Sequence, residues 1–248
     1  MKSRKELKTI GKASMKANYW NCVLVILLMT AVFGALNWIS GGQEAMNAIQ
    51  EGAQWAAEEG AAAQSNISVS TGSSAGGLLS LLLSGPLSVG LCFFFVRNLH
   101  EEDRESLTVL TPFKEAFNNY ARKLGGSLWM VLFIFLWSLL FIIPGIIKAY
   151  SYGMTEYILA DCPNVKAKDA LKLSMRMMKG HKWELFVLQL SFIGWGILSL
   201  LTLGILGVFY VDPYRHATLA AYYENLKEES IHSGMIMEEE FLGSELIA

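Results

Sequence analysis

The sequence predicts an all-α fold: a polytopic helical membrane protein with six transmembrane helices, arranged as three hairpins, and with basic amphipathic helices at the membrane interface. Three observations support this fold class. The chain is 53% hydrophobic and only 17% charged, a composition too apolar for a soluble domain of 248 residues. Its apolar residues come in long blocks rather than in helical stripes, as bilayer spans of roughly 20 residues require. Its basic residues lie in a few segments between these blocks.

The distribution of basic residues predicts how the apolar blocks are oriented across the membrane. Of the 20 Lys and Arg residues, six lie within 1–19, five within 97–123 and six within 166–182, whereas 41–75 contains four glutamates and no basic residue. Short loops rich in Lys and Arg remain cytoplasmic, so the three basic segments are predicted to lie inside and the acidic segment outside. Both termini are then cytoplasmic.

Each hairpin is predicted to follow a basic segment, and all belong to one integral membrane domain. The predicted segments, in chain order, are a cytoplasmic basic amphipathic helix (1–19), span 1 (20–40), an external acidic insert (41–75), span 2 (76–97), a cytoplasmic loop with an amphipathic helix (98–124), span 3 (125–143), span 4 (146–160), a cytoplasmic basic helix (161–182), span 5 (183–202), span 6 (204–226) and an acidic tail (227–248). The first apolar block is retained as a span, because it is too long for a signal peptide and lacks a cleavage site.

The apolar run from Leu128 to Leu159 is predicted to cross the membrane twice. Its 32 residues would form about 48 Å of helix at ~1.5 Å per residue, which exceeds a hydrocarbon core of about 30 Å. A single crossing would also place the basic segment 161–182 outside. We therefore predict two short helices that turn on the outer side at Pro144-Gly145, so that the next basic segment returns to the cytoplasm.

The last apolar region leaves two alternatives open. Two crossings with a turn near Gly204 are preferred, but one crossing, and therefore five spans, is compatible with the acidic tail that follows. We expect the tail to be solvated, with Phe241 and Leu242 leaving room for contact with a partner.

One candidate binding surface is the basic face of the predicted helix 161–182. It contains Lys168, Lys172, Arg176 and Lys179, opposite an apolar face, as expected for a helix at the membrane interface. These four residues are candidate contacts for anionic lipid headgroups, at ~1 kcal/mol for each well-placed charge. Ordinary anchoring by positive charges on the inner side explains the same pattern and is the favoured interpretation, because any cytoplasmic loop would carry such charges.

A second candidate site is a polar cavity inside the membrane. Lys148, Tyr152 and Glu156 lie on one face of the returning helix, and Arg215 adds a positive charge from the last helix. Together they would attract an anionic headgroup or solute, with Glu156 balancing the charge or carrying a proton. The favoured alternative is that Lys148 and Glu156 reach the two interfaces and that the tyrosine belongs to an aromatic belt.

The sequence lacks signatures of catalysis and of metal binding. Its four histidines are scattered without metal-ligand spacing, and it contains no Gly-x-Ser-x-Gly motif. Cys22, Cys92 and Cys162 lie far apart without a Cys-x-x-Cys pair. We expect no enzymatic activity, no catalytic residue, no cofactor, no metal site and no nucleic-acid partner.

Several motifs carry a resemblance to a known family. They are KANYW at 16–20, IPGIIKAYSY at 143–152, YILAD at 157–161 with Pro163, GHKW at 180–183, LSFIGW at 190–195 and Pro213-Tyr214. Over nearly its whole length the chain resembles the "domain of unknown function 975" (DUF975) family of bacterial integral membrane proteins. The resemblance implies a multi-span helical protein of the bacterial cell (inner) membrane, with no established activity to carry over.

A more remote similarity concerns the turn that follows the fourth predicted span. Asp161-x-Pro163, followed by Ala167, Ala170 and Ser174, is similar to the membrane regions attached to some bacterial glycerophosphodiesterases. The chain has no room for the catalytic domain of such an enzyme, so no catalytic residue is carried over.

Three functional classes follow from these observations. The leading class is a non-enzymatic membrane binding or scaffold protein that contacts the lipid bilayer, anionic lipids or unidentified protein partners. The second is a small transporter or channel for an anionic or amphiphilic solute, using Lys148, Glu156 and Arg215. An intramembrane enzyme ranks third, because it would need two catalytic groups at one depth and the sequence does not show them.

Overall fold

The computed structural model describes residues 2–38, 74–140 and 142–243, and within these ranges the chain forms helices and turns without a β-strand. This confirms the predicted all-α class. The α-helices are α1 (Arg4–Ala17), α2 (Tyr19–Asn37), α3 (Ser74–Leu99), α4 (Glu101–Arg104), α5 (Thr111–Phe117), α6 (Tyr120–Leu140), α7 (Ile142–Ser151), α8 (Thr155–Asp161), α9 (Ala167–Met177), α10 (Lys182–Leu190), α11 (Ile193–Leu201), α12 (Asp212–His232) and α13 (Glu238–Leu242). A π-helical turn, Gly207–Val211, precedes α12. Except for its last two residues, the predicted external insert lies outside the described residues.

The chain divides into two compact units. Residues 28–84 form one unit, whose described part consists of the second half of α2 and the first half of α3. Residues 1–27 together with 85–248 form the other, which contains α4 to α13 and all the candidate site residues.

Three helical stretches in the described ranges are long and apolar enough to cross a membrane: Tyr19–Leu36, Leu82–Leu99 and Lys182–Leu201. They coincide with predicted spans 1, 2 and 5 and indicate association with a membrane. Predicted spans 3, 4 and 6 are not among these stretches.

Each of the three remaining predicted spans falls outside these stretches for a different reason. Span 3 reaches position 141, outside the described residues, whereas span 4 is divided between α7 and α8. Span 6 coincides largely with α12, a helix rich in polar residues that continues to His232, beyond the predicted end at 226.

The chain reverses direction between α6 and α7. Phe133 and Tyr152 are 19 positions apart in the sequence, yet their ring centroids are 6.3 Å apart, which requires the two helices to run antiparallel. Pro144 and Gly145, where the turn was predicted, both lie in the first turn of α7. Proline is tolerated there, since the backbone N–H that it lacks would have no partner within the helix.

A buried serine of α9 stabilises the break between α7 and α8. The Ser174 hydroxyl donates a hydrogen bond to the carbonyl of Ser151 at 2.9 Å and accepts one from the N–H of Met154 at 3.2 Å. Ser174 is fully buried, so these bonds satisfy backbone groups that a broken helix would otherwise leave unpaired away from water. The break and α9 are thereby held together.

The described part of the acidic tail is solvated at Glu238 and Glu239, as predicted, but it is anchored to the protein by apolar side chains, which the prediction did not include. Ile236 and Phe241 are buried, whereas Leu242 is exposed. The ammonium group of Lys227 lies 5.3 Å from the centroid of the Phe241 ring. The tail folds back because burial of two large apolar side chains outweighs the solvation of its backbone.

Candidate functional site

A cleft of about 410 Å³ lies between α6, α7 and α9. One wall is a stripe of three aromatic residues, and three lysines border the opening. We call it the cationic-aromatic cleft. The residues that line it are Trp129, Phe133, Trp137, Lys148, Tyr152, Lys168, Leu171, Lys172 and Met175.

The aromatic wall belongs to α6. Trp129, Phe133 and Trp137 are four residues apart, so they lie on one face of the helix and extend over about 12 Å at ~1.5 Å per residue. The rings of Trp129 and Phe133 stack with their centroids 5.6 Å apart. Sequence reasoning overlooked this wall, although the regular spacing of three aromatic residues inside predicted span 3 was the signal for it.

A lysine lies over each end of the aromatic wall. The Lys168 ammonium is 4.9 Å from the centroid of Trp129, and the Lys148 ammonium is 4.8 Å from the centroid of Trp137. At these distances the negative face of an indole ring attracts a cation. Each lysine is thus held at the cleft without a carboxylate partner among the cleft-lining residues.

The third lysine lies on the same face of α9 as Lys168. Lys172 follows Lys168 by four residues, and its ammonium donates a hydrogen bond to Asp169 at 3.2 Å. Asp169 does not line the cleft. The described lining residues therefore include three cationic side chains and no acidic one, an arrangement that favours an anionic ligand with an apolar body.

The structure places two of the four predicted cavity residues in this cleft. Lys148 and Tyr152 both line it, and the Tyr152 side chain is buried. Glu156 instead faces α3, where it accepts a hydrogen bond from the Ser88 hydroxyl at 2.7 Å. Arg215 is exposed and lies 3.8 Å from Asp212. Glu156 and Arg215 do not join the other two.

The four predicted headgroup contacts are also divided. Lys168 and Lys172 line the cleft, whereas Arg176 forms an ion pair with Glu240 in α13. Lys179 is exposed beyond the end of α9. The cleft thus combines one half of each predicted set, because α9 packs against the α6–α7 hairpin.

Arg122 positions the turn that leads into α9. Its guanidinium donates hydrogen bonds to the carbonyls of Leu159 at 2.5 Å, Cys162 at 2.9 Å and Val165 at 2.6 Å. Burial lowers the pKa of Arg122 from its usual high value, but the three carbonyls match the geometry of the charged form. The start of α9, and with it Lys168, is fixed by these bonds.

A second polar cluster ties the end of α8 to α12 and the tail. Asp161 forms an ion pair with Lys227 and accepts a hydrogen bond from the Tyr223 hydroxyl at 3.0 Å. Burial by itself lowers the pKa of Lys227, but the carboxylate of Asp161 outweighs it and raises that pKa above its ordinary value. Lys227 therefore stays charged where it contacts the tail at Phe241.

Comparison with known proteins places these residues in a described family. The model of the family "Protein of unknown function (DUF975)" matches residues 1–153 and 139–230, which include every residue that lines the cleft. No curated protein and no solved structure matches the chain. The expected remote similarity to glycerophosphodiesterase membrane regions is not shown by these comparisons.

Proposed function

The chain belongs to the DUF975 family of proteins of unknown function, and from that premise we propose that it is a non-enzymatic membrane protein that binds anionic lipid. The observation that carries the proposal is the pair of lysines over the two ends of one aromatic wall, at 4.9 Å from Trp129 and 4.8 Å from Trp137. An apolar cleft bordered by three cations complements a ligand that is both apolar and anionic.

Each part of such a ligand has a counterpart in the cleft. Lys168 and Lys172 are one helical turn apart and can contact one phosphate or carboxylate together. The apolar chain would lie along the aromatic wall of α6. Each lysine near an anionic headgroup contributes ~1 kcal/mol, so Lys168 and Lys172 together would favour an anionic over a neutral lipid by roughly 30-fold.

The same proposal includes the membrane topology: six spans in three hairpins, both termini cytoplasmic, in the inner membrane of a bacterium. The distribution of Lys and Arg supports it, and the three apolar helical stretches coincide with three of the six spans. Ile205 and Ser233 are exposed and suit a cysteine-accessibility test. Six spans require labelling of Ile205→Cys from outside and of Ser233→Cys only from inside, whereas external labelling of Ser233→Cys would reduce the count to five.

A scaffold role toward protein partners belongs to the same proposal. Large apolar side chains around the end of α11 are almost fully exposed, with Leu203 92% exposed and Leu200 78%. Such a surface requires lipid tails or an apolar partner to cover it.

The experiment that tests lipid binding compares two lysines of the same basic segment. The protein is titrated with a fluorescent short-chain phosphatidic acid and, in parallel, with its phosphocholine counterpart. Lys168→Gln is expected to weaken binding of the anionic lipid by roughly fivefold, whereas Lys179→Gln, which removes the same charge outside the cleft, leaves it nearly unchanged. Equal effects of both substitutions would favour ordinary anchoring by positive charges and overturn the proposal.

One observation favours the second candidate, transport of an anionic or amphiphilic solute. Glu156, within predicted span 4, lies against α3 with Ser88 as its hydrogen-bond donor and the Cys92 sulfur 3.9 Å away. An ionisable residue at that depth is a common feature of transport pathways. Uptake of the same fluorescent lipid analogue into proteoliposomes, abolished by Glu156→Gln, would support transport over binding.

A further inference from the structure

The C-terminal segment of the described chain folds back onto the basic helix beside the cleft. The guanidinium of Arg176 donates hydrogen bonds to both carboxylate oxygens of Glu240, one of them at 3.1 Å, and to the carbonyl of Met235. Residues 235–243, which include α13, are called the C-terminal latch. A fork of this kind between Arg and carboxylate fixes orientation as well as charge.

The latch is also held by a buried aromatic side chain and by close contact between its backbone and that of Asn164. Phe241 is only 5% exposed and lies beneath Lys227. Gly243 has a φ of +87°, and a Cβ at that position would come within 2.5 Å of the Asn164 carbonyl oxygen. Only glycine fits both the conformation and the space. The ion pair to Arg176 is therefore one part of a docked segment.

The latch contacts one residue of the row of basic side chains on α9 that borders the cleft. Lys168, Lys172 and Arg176 are four residues apart and share a face of α9, and the first two line the cleft. Arg176 is the next basic residue in this row on α9, and Glu240 neutralises it. Two further glutamates, Glu238 and Glu239, precede Glu240 in the same short helix.

The pair is accessible to a competing anion. The side chains of Arg176 and Glu240 are 45% and 36% exposed, in contrast to the buried Phe241. An exposed ion pair is weak and exchanges readily, whereas the apolar contacts can hold the segment nearby.

We infer that the C-terminal latch is an autoinhibitory contact of the lipid-binding cleft. While it is closed, Glu240 neutralises Arg176 and holds a carboxylate one helical turn from Lys172, a cation that lines the cleft. A phosphate-bearing headgroup that reaches Arg176 displaces Glu240 and opens the latch. This inference rests on the proposed binding of anionic lipid, and it adds the regulation of the same site.

The first test measures lipid affinity in two matched variants. Glu240→Gln removes the partner of Arg176, and Glu239→Gln removes the same charge from the same helix outside the pair. We expect Glu240→Gln to bind the fluorescent phosphatidic acid about two- to fivefold more tightly than the wild-type chain, with no change for the phosphocholine lipid. Glu239→Gln should show a clearly smaller effect.

The second test follows the latch directly. Spin labels at Leu242 and Lys179, both exposed, report the distance between the latch and the end of α9 by pulsed electron resonance. The distance is expected to increase when vesicles of phosphatidylcholine are replaced by vesicles containing phosphatidylglycerol. The double exchange Arg176→Glu with Glu240→Arg restores the pair with reversed charges and should restore the short distance in neutral vesicles.

The outcomes separate this inference from the function on which it rests. If Lys168→Gln weakens lipid binding but Glu240→Gln and Glu239→Gln behave alike, or the label distance does not respond to anionic lipid, the latch is only structural and the inference is overturned. If no variant prefers anionic lipid, the proposed function fails, and the inference fails with it even when the labels report a closed latch.

Discussion

The ammonium group of Lys168 lies 4.9 Å from the centroid of Trp129, so that the basic helix α9 and the apolar helix α6 share one binding surface. The relationship depends on the turn before α9, where Arg122 contacts three backbone carbonyls. The ammonium group is held by the indole ring at the mouth of the cleft, where the described lining residues include no carboxylate. Its remaining N–H groups are free to meet an anionic headgroup.

Replacing Trp129 tests whether this contact positions the charge. Trp129→Leu keeps the wall apolar but removes the cation–π contact with Lys168 and the stacking on Phe133. We expect binding of the fluorescent phosphatidic acid to weaken about two- to fivefold, because contacts of this kind contribute ~0.5–1 kcal/mol at exposed sites. Trp20→Leu is the control, since Trp20 is exposed and does not line the cleft. Equal effects of the two changes would contradict a specific role for Trp129.

The helical class was predictable because it depends on local sequence, whereas the cleft was not. Apolar blocks and a proline near the start of a helix are visible in the sequence, but Pro144 suits the first turn of a helix as well as the turn before it. That alternative could not be decided without the packing of α6 on α7. Pairing of Lys148 with Trp137 and of Lys168 with Trp129 depends on that packing too.

The docking of the tail was missed for a related reason. Glu240 follows Arg176 by 64 positions, and nothing in the local composition of an acidic segment reveals its partner. Phe241 was a signal for docking, because a large aromatic residue among glutamates is favoured by burial rather than by solvation.

Close packing of α3 on the start of α5 gives a stability prediction. A Cβ added at Gly90 would lie 2.0 Å from the carbonyl oxygen of Pro112, and backbone cannot yield as a flexible side chain can. Gly90→Ala is expected to destabilise the protein by ~1–3 kcal/mol. Gly196→Ala is the matched control, because that position in α11 has no atom within 4 Å of the added Cβ and alanine favours helix by up to ~1 kcal/mol. Thermal unfolding in the same detergent compares them, and equal midpoints would refute the predicted clash.

The thiol of Cys162 is expected to be unreactive in the folded protein. Burial, together with the neighbouring Asp161, raises its pKa to about 12, and only 4% of its surface is exposed. Thiolate, the reactive form, is therefore scarce at pH 8. Maleimide should label Ser233→Cys within minutes while Cys162 reacts only after unfolding, and mass spectrometry of the peptides distinguishes the two. Rapid labelling of Cys162 in the native protein would show that the turn before α9 opens more readily than the hydrogen bonds of Arg122 imply.

The C-terminal latch should open in acid. Hydrogen bonds from Arg176 lower the pKa of Glu240 below its ordinary value of 4.5. A carboxyl group whose pKa is lowered in the docked state contributes its stabilisation above the ordinary pKa and loses it as the pH falls through the lowered one. The distance between labels at Leu242 and Lys179 is therefore expected to stay short from pH 7 to about pH 5 and to lengthen below pH 4. Other carboxylates lie near the latch: Asp161, which contacts it through Lys227, and the neighbouring Glu238 and Glu239. Glu240→Gln therefore supplies the reference, because it should remove the part of the transition that belongs to the Arg176 pair. An identical pH profile in Glu240→Gln and the wild-type chain would show that the Arg176 pair does not control the opening.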